Sequence, residues 1–448
     1  MSTPKETTEP LDQGGRRALK AVFLTLFLDL IGFSIIFPLF PAMLDWYTTH
    51  DADSATLGFF VDLIHNTAWL GAGVGEAVPI VLFGGLLGTV YSLLQFLAAP
   101  IWGQLSDRFG RKPILLLCIA GIGLSYVGWL FAGSFLVLIL SRILGGIMAG
   151  NISAATAAVA DTTTDKTRSK GMAIVGIAFG LGFILGPALG GLASLWDLSI
   201  SLPSVPGLHP FSLPALIALI LSVINLLYVA RYFRETLPKE KRGTSASQRT
   251  INPFRVLQTF QFPGVGTTIL AYFAFLVLFS GVEFTLTFLA AERLAYEPMD
   301  IGIMFIFIGV VLALVQGGYV RRKAHEVGEK KMAIQGLIAI IPGLALTGTA
   351  HSTPWLYAGL FFIAVGSAMA TPCLTSLVSL LTPATDQGRI LGIFRSMGAL
   401  SRAVGPIIAC VIYWRLGAVT AYGLGAVAML VPILITLFIP KIQREVSA

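Results

Sequence analysis

Residues 103–113 read Gly103-Gln104-Leu105-Ser106-Asp107-Arg108-Phe109-Gly110-Arg111-Lys112-Pro113. This short polar and basic stretch separates two long apolar runs, near residues 77–101 and 113–133. A helix needs about 20 apolar residues to cross the hydrocarbon core of a bilayer, so each run is long enough to span a membrane. The stretch is therefore interpreted as a loop between two spans, on the membrane face where basic residues collect.

The same alternation of apolar runs and short polar loops extends along the chain. Of 448 residues, 55% are apolar and only 12% are charged, a charged fraction well below that of soluble domains. A water-soluble fold has no means of hiding so much apolar surface. The sequence predicts an all-α membrane protein with twelve transmembrane helices. They lie near residues 21–44, 77–101, 113–133, 136–159, 170–195, 212–232, 264–290, 301–320, 332–350, 355–381, 389–414 and 420–440.

Lysine and arginine predict the orientation. Of the 30 basic residues, 25 fall in the two tails and in alternate loops, where cytoplasmic segments carry their excess of positive charge. They are Lys5, Arg16, Arg17, Lys20, Arg108, Arg111, Lys112, Lys166, Arg168, Lys170, Arg231, Arg234, Lys239, Lys241, Arg242, Arg249, Arg255, Arg321, Arg322, Lys323, Lys330, Lys331, Arg389, Lys441 and Arg444. We expect both termini in the cytoplasm, no nucleic-acid partner, and a bacterial inner membrane as the location.

The pattern also predicts a division into two halves. Gly186-Pro187 in the fifth span recurs as Gly405-Pro406 in the eleventh, 219 positions later, which indicates a duplicated six-helix unit. The predicted segments are a cytoplasmic tail (1–20), an N-terminal bundle (21–232), a cytoplasmic linker (233–263), a C-terminal bundle (264–440) and a second tail (441–448).

One loop of the N-terminal bundle, near 45–76, lacks any Lys or Arg. Leu57, Phe60, Val61 and Ile64 follow helical spacing within it, so we expect an amphipathic helix. Two interpretations stand side by side: a helix that lies in the interface or covers the outer mouth, and a packed surface helix.

The quoted loop resembles the loop signature of the major facilitator superfamily. Arg142 followed by Gly146 and Gly150 in the fourth span, and Asp161 at its inner end, extend the resemblance. The run Gly182, Gly186, Pro187, Gly190 and Gly191 in the fifth span is similar to the antiporter signature of the drug:proton antiporters, which include the tetracycline exporters. Ala173 stands where the longest form of that signature has glycine, and the long first outer loop departs from the compact antiporter pattern.

The resemblance implies two pseudo-symmetric six-helix bundles that rock around a central cavity, and a conformational latch. Asp107 is placed to meet the positive N-terminus of the eleventh helix, and the family pattern implies that Arg111 pairs with Asp161. The latch candidates are Gly103, Asp107, Arg108, Gly110, Arg111 and Asp161. For Arg108 and Lys112, plain positive-inside topology is the favoured alternative. In the fifth span, the glycines allow close helix approach and Pro187 a bend, while prevention of leak is only what the resemblance implies.

Ionisable residues within the spans are the candidates for proton coupling, because burying a charge in lipid is costly. They are Asp29 in the first span, Glu283 in the seventh and Arg142 in the fourth. Asp29 and Arg142 have the alternative of a fixed structural pair, and Glu283 that of reaching the interface.

The cavity candidates are polar or aromatic residues of the spans: Phe33, Gln95, Asn151, Phe279, Gln316 and Arg402. Each has the alternative of packing or bonding to a neighbouring helix. The sequence shows no metal-ligand cluster, Walker motif or catalytic triad, so we predict no metal, no cofactor and no enzyme activity.

The sequence thus predicts a monomeric alternating-access transporter that exports small amphipathic or lipophilic compounds, such as drugs, in exchange for protons. A lipid or metabolite carrier on the same fold is the alternative, and a membrane enzyme or receptor a distant one.

Overall fold

The structure is a computed structural model that describes residues 13–59, 78–163, 165–242, 259–383 and 387–440. Within those residues the chain is helical and contains no strand. The first six spans are Gln13–Ser34 continued by Phe40–His50, Val78–Phe109, Arg111–Leu130, Phe135–Met148 continued by Ile152–Thr162, Asp165–Ala193 and Ser212–Tyr232. The next four are Val265–Leu294, Pro298–Leu314 continued by Arg321–Val327, Glu329–Gly348 and Thr353–Leu381.

The last two spans follow one another without a loop, within Gln387–Ala428 and Leu430–Leu437. At Gly417 the backbone leaves helical geometry with φ +73, a conformation that glycine adopts without a steric penalty. The eleventh span therefore ends there and the twelfth begins. Nine helices of the described part, with this pair counted as one, are long and apolar enough to cross a membrane.

Helix pairs cross in the same way in both halves. In the N-terminal half, the Ser34 hydroxyl of the first span donates to the Gly182 carbonyl at 3.1 Å. In the C-terminal half, the Ser280 hydroxyl of the seventh span donates to the Ser401 carbonyl of the eleventh, also at 3.1 Å. Positions 182 and 401 are 219 apart, the spacing of the repeated Gly-Pro pair. The 219-residue repeat of the sequence therefore also relates the carbonyl groups that accept these two hydrogen bonds.

The two halves touch at the end of the bundle opposite the Gly103–Pro113 loop. We call that loop's side the basic end and the other the opposite end. There, a methyl group built on Gly302 of the eighth span lies 3.1 Å from the Gly191 Cα of the fifth. The Phe284 ring of the seventh span lies 5.0 Å from that of Phe37 and 5.9 Å from that of Phe40. These contacts close the opposite end.

Toward the basic end, the same helix faces separate. Gly180 lies on the face of the fifth span that carries Ile184 and Gly191, one turn before Ile184. A methyl group built on Gly180 meets no described atom within 4 Å, and the same holds for Gly317 and Gly318 of the eighth span. The described parts of these two helices thus diverge from the opposite end to the basic end.

The eighth span changes its winding where it approaches the basic end. Val315–Val320 forms a π-helical turn that contains Gln316. Such turns hold one extra residue per turn and are frequent at functional sites.

Some sequence predictions fall partly outside the described residues. The first span continues to His50, so the beginning of the predicted outer loop is helical. Leu57 is buried, whereas Phe60, Val61 and Ile64 lie outside the described residues, so the amphipathic helix stays a prediction. Of the predicted linker, residues 243–258 lie outside as well.

Candidate functional site

A small cavity lies in the middle of the bundle, between the halves. Its volume is about 20 Å³, which is room for one or two water molecules. A drug-sized ligand needs a site of hundreds of cubic ångströms, far more than this cavity holds. The lining residues are Leu26, Asp29, Leu30, Phe33, Tyr91, Gln95, Ala149, Asn151, Ile152, Phe183 and Arg402.

Asp29 lies in the cavity wall and is held by two amides. The Asn151 side chain donates to Oδ2 of Asp29 at 2.7 Å, and the Asn225 side chain donates to Oδ1 at 3.0 Å. Asn151 comes from the fourth span and Asn225 from the sixth. The carboxylate of the first span therefore ties three helices of the N-terminal half together.

Arg142 does not form the fixed pair with Asp29 that was one interpretation of the sequence. Its buried guanidinium lies over the Trp129 ring at 4.8 Å from the centroid. The electrostatic neighbours of the guanidinium are Tyr47, Tyr91 and Tyr126. The amides surrounding Asp29 and the aromatic rings surrounding Arg142 thus keep the acid and the base of this half apart.

Arg402 is the contribution of the C-terminal half to the cavity. Its guanidinium lies over the Phe183 ring of the fifth span, 5.1 Å from the centroid, so the contact crosses between the halves. Arg402 also interacts electrostatically with Glu283 of the seventh span. Glu283 itself is not among the residues that line the cavity.

The structure brings together four of the six cavity candidates: Phe33, Gln95, Asn151 and Arg402. Phe33 packs on Tyr91 at 4.7 Å between centroids, and the Gln95 amide donates to the Ala149 carbonyl at 3.1 Å.

The other two candidates lie elsewhere. Phe279 packs on Phe275, and Gln316 lies in the π-helical turn, on the stretch of the eighth span that diverges from the fifth.

The latch residues form a compact network at the basic end. The Arg111 guanidinium binds Asp161 at 2.9 Å and Asp107 at 2.5 Å, so the predicted pairing of Arg111 with Asp161 is present. Asp107 and Arg111 are both nearly inaccessible, whereas Arg108 is exposed, as positive-inside topology alone predicts. Side chains 387–389, where the eleventh helix begins, lie outside the described residues, and the docking of Asp107 there stays a prediction.

Glu235, which sequence reasoning missed, completes this network. Its carboxylate accepts hydrogen bonds from the backbone N–H groups of Arg111 at 2.9 Å and Lys112 at 3.2 Å. It thereby caps the third helix, where a negative charge also interacts favourably with the helix dipole. Gly110, with φ +106, turns the chain there, and a side chain at this position would collide with Glu235. Glu235 follows the sixth span directly, so the start of the predicted linker is bound to the loop.

The glycines of the fifth span lie against two different helices, the first and the eighth. Methyl groups built on Gly182, Gly186 and Gly190 would collide with the first span, whereas one on Gly191 would collide with the eighth. Pro187 lies inside the helix beside this second contact. One short motif therefore packs the N-terminal half internally and joins it to the other half.

The membrane-length helices and the large apolar side chains that they expose define an integral membrane protein. A central cavity between two helical halves is the arrangement of a small-molecule transporter. The protein-family model described as Major Facilitator Superfamily matches residues 22–406 and 324–447 of this chain. The chain belongs to the major facilitator superfamily, and the predicted fold of twelve spans in two bundles is confirmed.

Three relatives are similar to this chain over most of its length. Major facilitator superfamily domain-containing protein 10 of Bos taurus is 38% identical over 457 residues, which cover 96% of this chain and 94% of the relative. The crystal structure of the human organic anion transporter MFSD10 (TETRAN) is similar with a TM-score of 0.75 at 35% identity, covering 94% of this chain and 99% of that one. Tetracycline resistance protein, class B, of Escherichia coli is 28% identical over 331 residues, covering 73% of this chain and 78% of the relative.

Proposed function

We propose that this protein is a secondary transporter that works by alternating access and exports small amphipathic compounds, organic anions among them, in exchange for protons. The observation that carries the proposal is the central cavity with Asp29 from one half and Arg402 from the other. A buried carboxylate in a membrane protein is a candidate for carrying a proton, and a guanidinium is suited to bind a carboxylate or sulfonate.

The contacts between the halves support alternating access. The opposite end is closed through Gly191, Gly302 and Phe284, while the fifth and eighth spans diverge toward the basic end. With the positive-inside orientation proposed from the 25 basic tail and loop residues, the closed end faces outward. Rocking about the cavity would open that end and bring Asp107 against the eleventh helix.

The relatives support the substrate class. One solved relative is an organic anion transporter, and the tetracycline resistance protein points to amphipathic compounds. Arg402 is the group of this cavity that suits an anion. Location in a bacterial inner membrane, cytoplasmic termini and the monomeric state stay predictions, since the matched relatives come from both animals and bacteria.

The test is flux in proteoliposomes that contain the purified full chain and a pH-sensitive dye. Carboxyfluorescein and tetracycline serve as probes, each added with and without a pH gradient. We expect uphill movement of at least one probe with proton movement in the opposite direction. Flux of either probe without proton movement would refute exchange, and proton movement in the same direction would make the protein a symporter.

Arg402→Gln separates the two probes. It removes the cation without removing hydrogen-bonding capacity, so we expect carboxyfluorescein flux to fall more than tetracycline flux. Equal losses would argue against an anion site at Arg402.

A further inference from the structure

The two amides that hold Asp29 each carry a buried oxygen to which no described group donates a hydrogen bond. These atoms are Oδ1 of Asn151 and Oδ1 of Asn225, and among the described residues neither has a partner, although the side chains are only 1% and 0% exposed. Buried polar atoms are nearly always paired, so two orphaned oxygens beside one carboxylate require an explanation.

Their arrangement suits a carboxylate that changes its protonation. An ionised carboxylate only accepts hydrogen bonds, and both amides now donate to it. A proton on either oxygen would point at an NH₂ group, donor against donor. Turning that amide by about 180° exchanges its nitrogen for its orphaned oxygen, which then accepts the proton.

We propose that Asn151 and Asn225 are positioning residues that set the protonation of Asp29, and that proton uptake turns one of the two amides. The proposal rests on the proposed function, in which Asp29 carries the coupling proton. In the protonated state, the second amide continues to donate to the carbonyl oxygen of Asp29, so Asp29 keeps two hydrogen bonds and no donor opposes its proton.

A proton fits the site better than a metal cation does. A sodium ion would need both amides to turn, and it would find four side-chain oxygens there, two from Asp29 and one from each asparagine. A proton needs one amide to turn.

The position of Asn151 links this step to the backbone. Asn151 ends a 3₁₀ turn, Ala149–Asn151, that interrupts the fourth span, and such mid-helix turns often mark hinges. The carbonyl of Ala149 in the same turn accepts the Gln95 amide of the second span. A turn of the Asn151 amide therefore acts at the point where the fourth span is least regular.

Other titratable or charged groups face Asp29 from neighbouring spans. Tyr91 of the second span and Arg402 of the eleventh share the cavity. Cys118 and Tyr126 of the third span also lie near Asp29. The variants below leave all four in place.

The experiment is infrared titration of the carboxylic acid band of Asp29 in the purified full chain, with the band assigned by its loss in Asp29→Asn. Leu has nearly the shape of Asn but donates no hydrogen bond. In Asn225→Leu and in Asn151→Leu, we expect the pH midpoint of the band to rise by about one to two units, since a hydrogen bond to a charged group contributes about 1.5–3 kcal/mol.

Ser222→Ala is the matched control. Ser222 lies one turn from Asn225 on the same helix, is buried, and donates to the Ile119 carbonyl instead. Its midpoint should equal that of the wild type, and thermal melting of each variant establishes that it is folded.

Three results would overturn the proposal. They are a band that does not titrate between about pH 4 and 10, midpoints in the folded leucine variants that stay at the wild-type value, and a midpoint that moves when sodium replaces choline at constant ionic strength. The titration needs no transport. Flux without proton movement would thus refute the proposed function, whereas an unshifted midpoint refutes the role of the amides alone.

Discussion

The two halves of the chain are alike where helices cross and different where charges lie. Both halves use a buried serine, Ser34 or Ser280, to bridge to a glycine-bearing helix at 3.1 Å. Their basic loops differ, because Arg111 is buried between two carboxylates whereas Lys323 and Glu326 pair on the surface. Packing between helices has kept the symmetry of the duplication, whereas the buried ion pairs of the first basic loop are replaced by an exposed pair in the second.

The largest expected effect tests the difference between the two buried acids. Asp29→Asn should abolish uphill transport, because the amide takes up no proton. Glu283→Gln should reduce transport less, since Glu283 lies outside the cavity wall. Initial rates in proteoliposomes under an imposed pH gradient measure both. Undiminished uphill export by Asp29→Asn would remove Asp29 from the coupling mechanism, and a complete loss in Glu283→Gln would make the halves functionally equivalent.

The next prediction concerns the shared crossing. A side chain at Gly186 would collide with the first span, 2.8 Å from the Ile31 carbonyl oxygen, and one at Gly405 with Ser280 and Val277 of the seventh. Gly186→Val and Gly405→Val should therefore each destabilise the fold by about 1–3 kcal/mol or more. Thermal unfolding in detergent measures the loss.

Gly180→Ala is the control for this pair, since a methyl group there meets no described atom within 4 Å. A large loss of stability in only one of the two valine variants would show that the two crossings share their geometry but differ in their contribution to stability.

The third prediction contrasts the loops. Arg111→Gln leaves the buried Asp107 carboxylate without its cation, and breaking a buried pair in this way costs about 3–5 kcal/mol. Lys323→Gln removes a pair that lies in solvent, where screening leaves an ion pair little effect on stability. Melting temperature and transport rate should both fall in the first variant and stay unchanged in the second. Equal, small effects would mean that the loop network at Arg111 contributes little to stability.

The smallest expected effect is at the serines. Ser34→Ala and Ser280→Ala should each cost about 1 kcal/mol, the usual net contribution of one hydrogen bond. If the two variants lower the melting temperature by different amounts, the hydrogen bond with the smaller effect contributes less to the stability of its half.

Much of the fold followed from the sequence because membrane spans obey a simple length and hydropathy rule. The helix-crossing contacts at Gly186 and Gly405 were indicated by their repeat. The boundaries were less accurate: the first span, expected to end at residue 44, continues to His50, because polar residues beyond the apolar run still extend the helix.

The site was predicted in part. Asp29 and Arg402 stand out because charges are rare in spans. Asn151 was predicted as a cavity residue, but its bond to Asp29 was not predicted, since a hydrogen bond depends on how helices pack and rotate. Asn225 is an isolated amide in the apolar sixth span, and that contrast was the available signal. Glu235 lies in a charged stretch after a span, where nothing distinguishes a capping carboxylate from a solvated one.

The capping by Glu235 also decides where this chain can be divided. The backbone N–H groups of Arg111 and Lys112 depend on Glu235, and Thr236 donates to Asp161, so residues 233–242 belong to the N-terminal folding unit although they follow its last span. Two fragments expressed separately should reassemble when the break falls beyond Arg242. A break directly after Tyr232 would remove Glu235, which caps the third helix. The N-terminal fragment would then lack part of the loop network even before it associates with the C-terminal fragment.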